Sequence, residues 1–290
     1  SDNKDSFNIL REFMIFAQQN MNKSVQDYLK QRGIFESNIE KFEIGYAPSS
    51  KQTMQFLAEK NISYEDAFKA GVLTQGDNGF YARFIERILF PIYSNSLKVI
   101  GFGGRTINNH PAKYINSSTN IVFNKSKTLY GLHLAKDEIH KQNEIIVTEG
   151  YMDTIMLHQA GFKNTVATLG TALTNEHTFT IKKFTNNVIL AYDGDNAGKE
   201  ASYKTALLLL NKGINAKISI FKQNQDPADL VASSQIEKLK TILVNAKPSI
   251  EFIIDYIASK YDLSTAEEKQ KAYDEIIKFA SSLEVITRNE

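Results

Sequence analysis

The pattern of apolar positions changes twice along the chain, and each change predicts a different kind of structure. From Asp2 to Gln52 apolar residues recur at helical spacing, with breaks at Gly33 and at Tyr46 to Pro48. Up to about Asn124, one or two further helices alternate with strand-like runs such as ILFPIY and KVIGFGG. We therefore expect a mixed α/β subdomain over residues 1–124.

From Asn143 the pattern becomes a regular alternation of short apolar runs and helical segments. EIIVTEG, TVATLG, NVILAYDGD and AKISIF are typical of strands, and amphipathic segments separate them. Such alternation indicates right-handed crossovers and a parallel sheet that is covered on both faces. We expect this sheet in residues 125–246 and a charged helical bundle in residues 247–290. The predicted fold class is α/β for the sheet subdomain and α+β for the whole chain.

Acidic residues follow several of the predicted strands. Glu149 ends the first strand, Asp193 and Asp195 flank Gly194 after the third, and Asp226 lies beyond the fourth. The carboxyl ends of parallel strands meet at one edge of a sheet, so these acids should converge. Sparse carboxylates suit Mg²⁺ or Mn²⁺, and such ions assist displacement at phosphorus. The alternative for each motif taken alone is a solvated surface turn.

Composition narrows the kind of site and the kind of protein. The chain has no cysteine, which excludes thiolate zinc sites, and its five histidines lack metal-ligand spacing. We therefore expect no zinc in this chain. With 42% hydrophobic and 23% charged residues, no membrane-length apolar run and no signal peptide, the sequence indicates a cytoplasmic enzyme without membrane contact.

The distribution of charge is more informative than the net charge of +1. Residues 87–136 contain no Asp or Glu, and aromatic residues lie between their cations. This arrangement predicts a surface for single-stranded nucleic acid, although ordinary solvated lysines are the alternative. A dinucleotide site at GFGGR is disfavoured because Thr106 stands where the third glycine is required. The cations of the stretch are Arg87, Lys98, Arg105, Lys113, Lys125, Lys127 and Lys136.

Several ordered motifs resemble known families. EGYMD, ATLGT, YDGDNAGKEA and DPADL are similar to the Toprim domain of primases, topoisomerases and some nucleases. RILFPI, GFGGR, KYINS and LYGL resemble bacterial DnaG-type primases, and the resemblance runs from about Phe13 into the C-terminal helices. It implies synthesis of RNA primers from ribonucleoside triphosphates on a single-stranded DNA template, in the bacterial replisome.

The resemblance also implies roles for individual residues. Metal or catalytic roles fall to Glu149, Asp193, Asp195 and Asp226, with Asp153 in support. In the last motif the chain has Ala228 where an acid is common, so either Asp226 or Asp229 serves the metal. We favour Asp226, because Pro227 suits the first turn of a helix and makes Asp226 its N-cap. The predicted nucleic-acid and nucleotide contacts are Arg105, Lys113, Asn116, Lys125, Arg87 and Lys41.

Two other functions remain open from the sequence. One is a Toprim nuclease or topoisomerase, although nothing distinguishes a nucleophile among the 13 tyrosines. The other is a non-catalytic nucleic-acid-binding module, which leaves the converging acids unexplained. The resemblance further implies a zinc module before this core and a domain after it that binds the replicative helicase. We expect both to be absent from this chain.

Overall fold

The computed structural model describes residues 2–287 and the burial of side chains from residue 4 to residue 283. Ser1 and residues 288–290, at the ends of the predicted first and last subdomains, lie outside the described residues. In the first half of the chain the elements are α1 (Asp2–Gln19), α2 (Lys23–Gln31), α3 (Glu36–Lys41), β1 (Gly45–Ala47), α4 (Ser50–Glu59), α5 (Tyr64–Lys69), β2 (Leu73–Gly76), β3 (Gly79–Ala82), β4 (Arg87–Tyr93), β5 (Val99–Thr106) and β6 (Tyr114–Asn116).

An antiparallel sheet of four strands organises this half, in the order β1-β4-β5-β6. Strands β4 and β5 are buried along nearly their whole length, which agrees with their continuous apolar sequences. Strands β2 and β3 form a separate hairpin. Helix α1 packs on β1 and β5, where Phe13 contacts Phe102 edge-to-face with ring centroids 5.4 Å apart. The mixed α/β character predicted for this part of the chain is confirmed.

The second half alternates helices with parallel strands. Its elements are α6 (Leu132–Gln142), β7 (Ile145–Thr148), α7 (Tyr151–Gln159), β8 (Thr165–Ala167), α8 (Asn175–Lys182), β9 (Asn187–Leu190), α9 (Asn196–Asn211), β10 (Asn215–Ile218), α10 (Pro227–Ala232), α11 (Ile236–Val244), β11 (Lys247–Pro248), α12 (Ser249–Ser259) and α13 (Ala266–Thr287).

The sheet of this half has the order β11-β10-β9-β7-β8. Strands β10, β9, β7 and β8 are parallel, and only the short edge strand β11 is antiparallel. Strand β7 is fully buried, because helices cover both faces of the sheet. The predicted parallel sheet and its four strands are therefore confirmed.

The C-terminal helices pack onto this sheet. Strand β11 pairs with β10 through Lys217 and Ile218, and α12 lies against α9 and β10. Phe252 and Ile253 of α12 belong to the same hydrophobic cluster as the strands. The division of the chain at residues 124 and 246 stays a prediction. None of the described helices is both long and apolar enough to cross a membrane.

A hydrophobic cluster joins the two halves. It contains Ile88 and Phe90 from β4 together with Ile146 from β7 and Tyr151 from α7. The Tyr151 ring stacks on Phe90 with centroids 5.2 Å apart. A Cβ atom on Gly103 would lie 2.2 Å from Cζ of Tyr151, so only glycine lets this ring lie on β5. Gly103 of the GFGGR motif thus serves close packing, and α7 is fixed against both sheets.

Candidate active site

The acidic motifs meet where the strand order of the parallel sheet reverses. Strands β7 and β9 are neighbours, but the chain leaves β7 towards β8 on one side and leaves β9 towards β10 on the other. The connections therefore diverge above the carboxyl ends of these two strands and leave a crevice, which is the usual ligand site of such sheets. Glu149 directly follows β7, and Asp193 follows β9 by three residues.

Three carboxylates form a cluster in this crevice. One oxygen from each of Asp153, Asp193 and Asp226 lies within 4.8 Å of the other two. Asp153 lies in the first turn of α7, and its Oδ1 accepts a hydrogen bond of 3.3 Å from the backbone N–H of Ala228. Asp226 is the N-cap of α10. The three acids therefore come from three separate connections of the sheet.

The electrostatics of the cluster favour a bound cation. Burial, and then the charges of Glu149 and Asp226, raises the pKa of Asp193 to about 7. Burial and the charges of Asp226 and Asp193 raise the pKa of Asp153 well above its ordinary value. Carboxylates so close cannot all ionise near neutral pH without a proton or a cation between them. Because every donor is a carboxylate oxygen, the arrangement fits a hard divalent ion.

Glu149 and Asp195 lie beside the three-carboxylate cluster. Oε2 of Glu149 accepts a hydrogen bond of 3.2 Å from the backbone N–H of Asp193, which links the ends of β7 and β9. Burial raises the pKa of Glu149. Oδ1 of Asp195 accepts a hydrogen bond of 2.6 Å from the N–H of Gly198 and caps α9. The direct role of both acids in metal binding stays a prediction.

Gly194 is required by the close approach of two loops. A Cβ atom at this position would lie 1.9 Å from the carbonyl oxygen of Lys222, and its N–H donates a hydrogen bond of 2.9 Å to the carbonyl of Gln225. The turn that carries Asp193 is thereby fixed to the loop that leads into Asp226. The glycine of the DGD motif therefore brings two of the acids together.

The DPADL motif starts a helix where the sequence predicts one. Pro227 is the first helical residue. The Asp226 carboxylate accepts a hydrogen bond of 2.7 Å from the backbone N–H of Asp229, and the Asp229 carboxylate accepts one from the backbone N–H of Asp226. The N-cap position predicted for Asp226 is confirmed. Asp226 belongs to the cluster, whereas Asp229 is exposed and is engaged in the capping box.

A cavity of about 410 Å³ joins the acids to the basic stretch. Glu149, Asp153, Asp193 and Asp226 line one part of it. The other part is formed by polar, cationic and aromatic side chains, namely Arg32, Arg105, Lys113, Tyr114 and Asn116. Three of the predicted nucleic-acid contacts thus share one cavity with the acids.

Arg105 is held rigidly at the wall of this cavity. Its guanidinium carbon lies 5.2 Å from the ring centroids of both Tyr28 and Tyr114, and Nη1 donates a hydrogen bond of 3.0 Å to the Tyr114 hydroxyl. The residue is 8% exposed, and its buried Nε has no hydrogen-bond partner among the described residues. A cation held in this way is pre-organised to bind an anion.

Asn116 connects the two halves at the cavity. Its Nδ2 donates a hydrogen bond of 2.8 Å to the carbonyl of Leu169, and its Oδ1 accepts a hydrogen bond from the Tyr151 hydroxyl. Its own carbonyl accepts a hydrogen bond of 2.9 Å from Arg83. The amide of Asn116 thus fixes β6 to the segment that follows β8.

Arg87 and Lys41, two further predicted contacts, are not among the residues that line this cavity. Arg87 is 4% exposed, and its guanidinium donates to carbonyls that include those of Ala112 at 2.8 Å and Lys113 at 3.2 Å. It therefore supports the loop of Lys113, and its direct contact with nucleic acid stays a prediction. Burial, and to a smaller extent the nearby charge of Lys41, lowers the pKa of His158 in the last turn of α7. Lys41, at the end of α3, therefore lies near the opposite end of α7 from Asp153.

Arg32 and Tyr28 are residues of the site that the sequence did not indicate. Arg32 is the C-cap of α2, it lines the cavity, and its charge partly offsets the rise that burial causes in the pKa of Asp226. Tyr28 lies one turn earlier and covers Arg105. Both lie in an ordinary amphipathic helix, where no sequence feature separates them from solvated neighbours.

Comparisons with known proteins agree with this architecture. Residues 13–136 match the family described as the N-terminal domain of the DNA primase catalytic core, and residues 146–231 match a Toprim-like family. A solved DnaG primase catalytic domain bound to ssDNA is 31% identical, with a TM-score of 0.82, and the match covers 93% of this chain and 87% of that one. The chain belongs to the family of DnaG-type primase catalytic cores.

Curated members of this primase family include close relatives in sequence. The DNA primase of Helicobacter pylori strain J99 is 41% identical over 293 residues, covering 100% of this chain and 52% of the relative. The DNA primase of Campylobacter jejuni is 43% identical over 290 residues, covering 99% of this chain and 48% of the relative. The chain therefore spans about half the length of the curated relatives it matches. The family predicted from the sequence motifs is confirmed.

Proposed function

We propose that this chain synthesises short RNA primers on single-stranded DNA by nucleotidyl transfer from ribonucleoside triphosphates. The observation that carries the proposal is the single cavity that has clustered carboxylates on one side and fixed cations on the other. A polynucleotide and a triphosphate both need cations along their phosphates and a metal at the reacting phosphorus. Membership of the primase core family supports the same reaction.

Asp153, Asp193 and Asp226 would hold a divalent ion, with Glu149 and Asp195 at the margin of its site. When bound, Mg²⁺ or Mn²⁺ would neutralise charge on the reacting phosphate and on the departing pyrophosphate. The hydrogen bond from the Asp193 N–H keeps Glu149 against the cluster, and the capping of α10 orients Asp226. The acids are therefore positioned before any ion arrives.

The cations would hold the phosphates of the substrates. The contacts of the Arg105 guanidinium with the rings of Tyr28 and Tyr114, and its hydrogen bond to the Tyr114 hydroxyl, restrict its movement, so it would present its charge at a fixed place. Lys113 is exposed at the same cavity, and Arg32 reaches it from the N-terminal helices. Lys113 and Lys125 have no carboxylate within 4.0 Å among the described residues, so both charges are available to a polyanion.

Incubation with single-stranded DNA, the four ribonucleotides and Mg²⁺ or Mn²⁺ tests the proposal. We expect template-dependent RNA, which Asp193→Asn should abolish. Nicked DNA would instead indicate a nuclease or topoisomerase, and binding without a product would indicate a binding module.

The setting that we propose is replication in the bacterial cytoplasm. The curated relatives are DNA primases, and one family member has been solved with bound ssDNA. Both observations support a role on DNA templates. Use of ribonucleotides and contact with a replicative helicase stay predictions.

A further inference from the structure

The loop that carries Lys125 is held by the first turn of α8. Three carbonyl groups of residues 124–128 accept hydrogen bonds from that turn. Nε2 of His177 lies 3.0 Å from the carbonyl oxygen of Lys125 and 3.1 Å from that of Thr128, and the hydroxyl of Thr174 donates a bond of 2.6 Å to the carbonyl of Ser126. The backbone of the loop is thus bound along most of its length.

The other contacts of His177 define its tautomer. Nδ1 lies 3.0 Å from the backbone N–H of Thr174, which can only donate, so Nδ1 accepts and Nε2 carries the hydrogen. The ring is 0% exposed. It takes the place of the Glu or Gln of an ordinary capping box, and it also donates to the loop on its far side. One neutral ring therefore joins the cap of α8 to the Lys125 loop.

The segment before α8 reaches the cavity. The carbonyl of Leu169 accepts the bond from Asn116, and Gly170 lines the cavity. Tyr130, at the other end of the Lys125 loop, exchanges backbone hydrogen bonds of 2.8 and 3.1 Å with Ala167. The loop is therefore attached at both ends to the segment that forms one wall of the site.

We propose that His177 is a positioning residue, which acts through its contact with the backbone of Lys125 to hold the Lys125 ammonium where it meets a phosphate of the DNA template. The inference rests on the proposed function of the site. Lys125 is exposed, whereas the neighbouring Lys127 lies 3.8 Å from the carboxylate of Glu176. Within this loop, Lys125 is thus the cation that is left for a ligand.

Two neutral variants separate the two contacts of the ring. In His177→Asn the amide oxygen takes the place of Nδ1 and can accept from Thr174, but nothing reaches the loop carbonyls. In His177→Gln the amide nitrogen takes the place of Nε2 and can still donate to the loop. Ile181→Val, a buried change on the same helix, is the control for a general loss of stability.

The readout is the affinity for a single-stranded oligonucleotide at several salt concentrations, measured without nucleotides. Lys125→Ala and His177→Asn should each lower the slope of log affinity against log salt by about 0.7, since each removes one phosphate contact. His177→Gln and Ile181→Val should keep the wild-type slope. Adding His177→Asn to Lys125→Ala should change the slope no further, because the histidine acts only through the lysine.

An unchanged slope in His177→Asn, or a further decrease in the double variant, would overturn the role of His177. An unchanged slope in Lys125→Ala would overturn it as well, because there would be no phosphate contact to position. Primer synthesis by the wild-type protein is followed separately. Its absence would count against the proposed function, while the salt slopes would still decide whether His177 positions Lys125.

Discussion

The effect of Asp193→Asn on the metal-free protein is the sharpest test of the electrostatics of the site. Burial and the neighbouring carboxylates raise the pKa of Asp193 from its ordinary value of 3.8 to about 7. Between these values the folded protein keeps a proton that the unfolded chain releases. The stability of the wild-type protein should therefore fall as the pH rises from about 4 to about 7.

The size of this loss of stability follows from the shift in the pKa of Asp193. Each pKa unit corresponds to about 1.4 kcal/mol, so the shift sets an upper limit of about 4 kcal/mol. Asp193 is only partly buried, and solvent screening reduces the expected value to about 2 kcal/mol. Asparagine has the same shape and no charge. In the presence of a chelator, the free energy of unfolding of Asp193→Asn should exceed that of the wild type by about 2 kcal/mol at about pH 8 and by much less at about pH 4.

Urea unfolding, followed by circular dichroism at stepped pH, measures this difference. Asp77→Asn is the matched control, because it removes the same charge from an exposed turn between β2 and β3. Added Mg²⁺ should stabilise the wild type and have less effect on Asp193→Asn, since the variant lacks one ligand. Stability curves that run parallel across the pH range, or a variant that is less stable than the wild type at about pH 8, would refute the reasoning.

Three further predictions concern individual residues. Lys113→Ala should lower the salt slope of binding to single-stranded DNA by about 0.7, and an unchanged slope would return Lys113 to the ordinary surface. Asp226→Asn keeps a good N-cap but loses a charge of the carboxylate cluster. It should therefore reduce primer synthesis far more than Asp229→Asn in a primer-extension assay. A larger loss in Asp229→Asn would instead make Asp229 the metal ligand. Arg87→Lys keeps the charge but loses the forked contacts to the Lys113 loop, so the free energy of unfolding, measured by thermal unfolding, should fall by about 2 kcal/mol. A variant of unchanged stability whose DNA affinity depends less steeply on salt would instead indicate that Arg87 contacts a phosphate.

The sequence by itself determined the elements, their order and the local geometry of the acidic motifs. The alternation of apolar runs with amphipathic segments predicted the parallel sheet, because burial on both faces demands continuous apolar strands. Pro227 after Asp226 was enough to predict the start of α10. The carboxyl ends of parallel strands share one edge, so the convergence of Asp193 and Asp226 also followed from the order of elements. Motif resemblance gave the family.

Tertiary structure alone decided which charges share the cavity. The acid-free stretch of sequence is not one surface, because Lys98 directly precedes β5 and Arg105 lies near the other end of that strand, about 23 Å away at strand spacing. Arg87 is the first residue of β4, and no local sequence pattern predicts that it is buried. Its guanidinium supports backbone carbonyls of the Lys113 loop. Arg32 joined the site from the end of α2, more than a hundred residues from Asp153 in sequence. Side-chain direction depends on packing between distant elements, and the periodicity of a single segment carries no information about it.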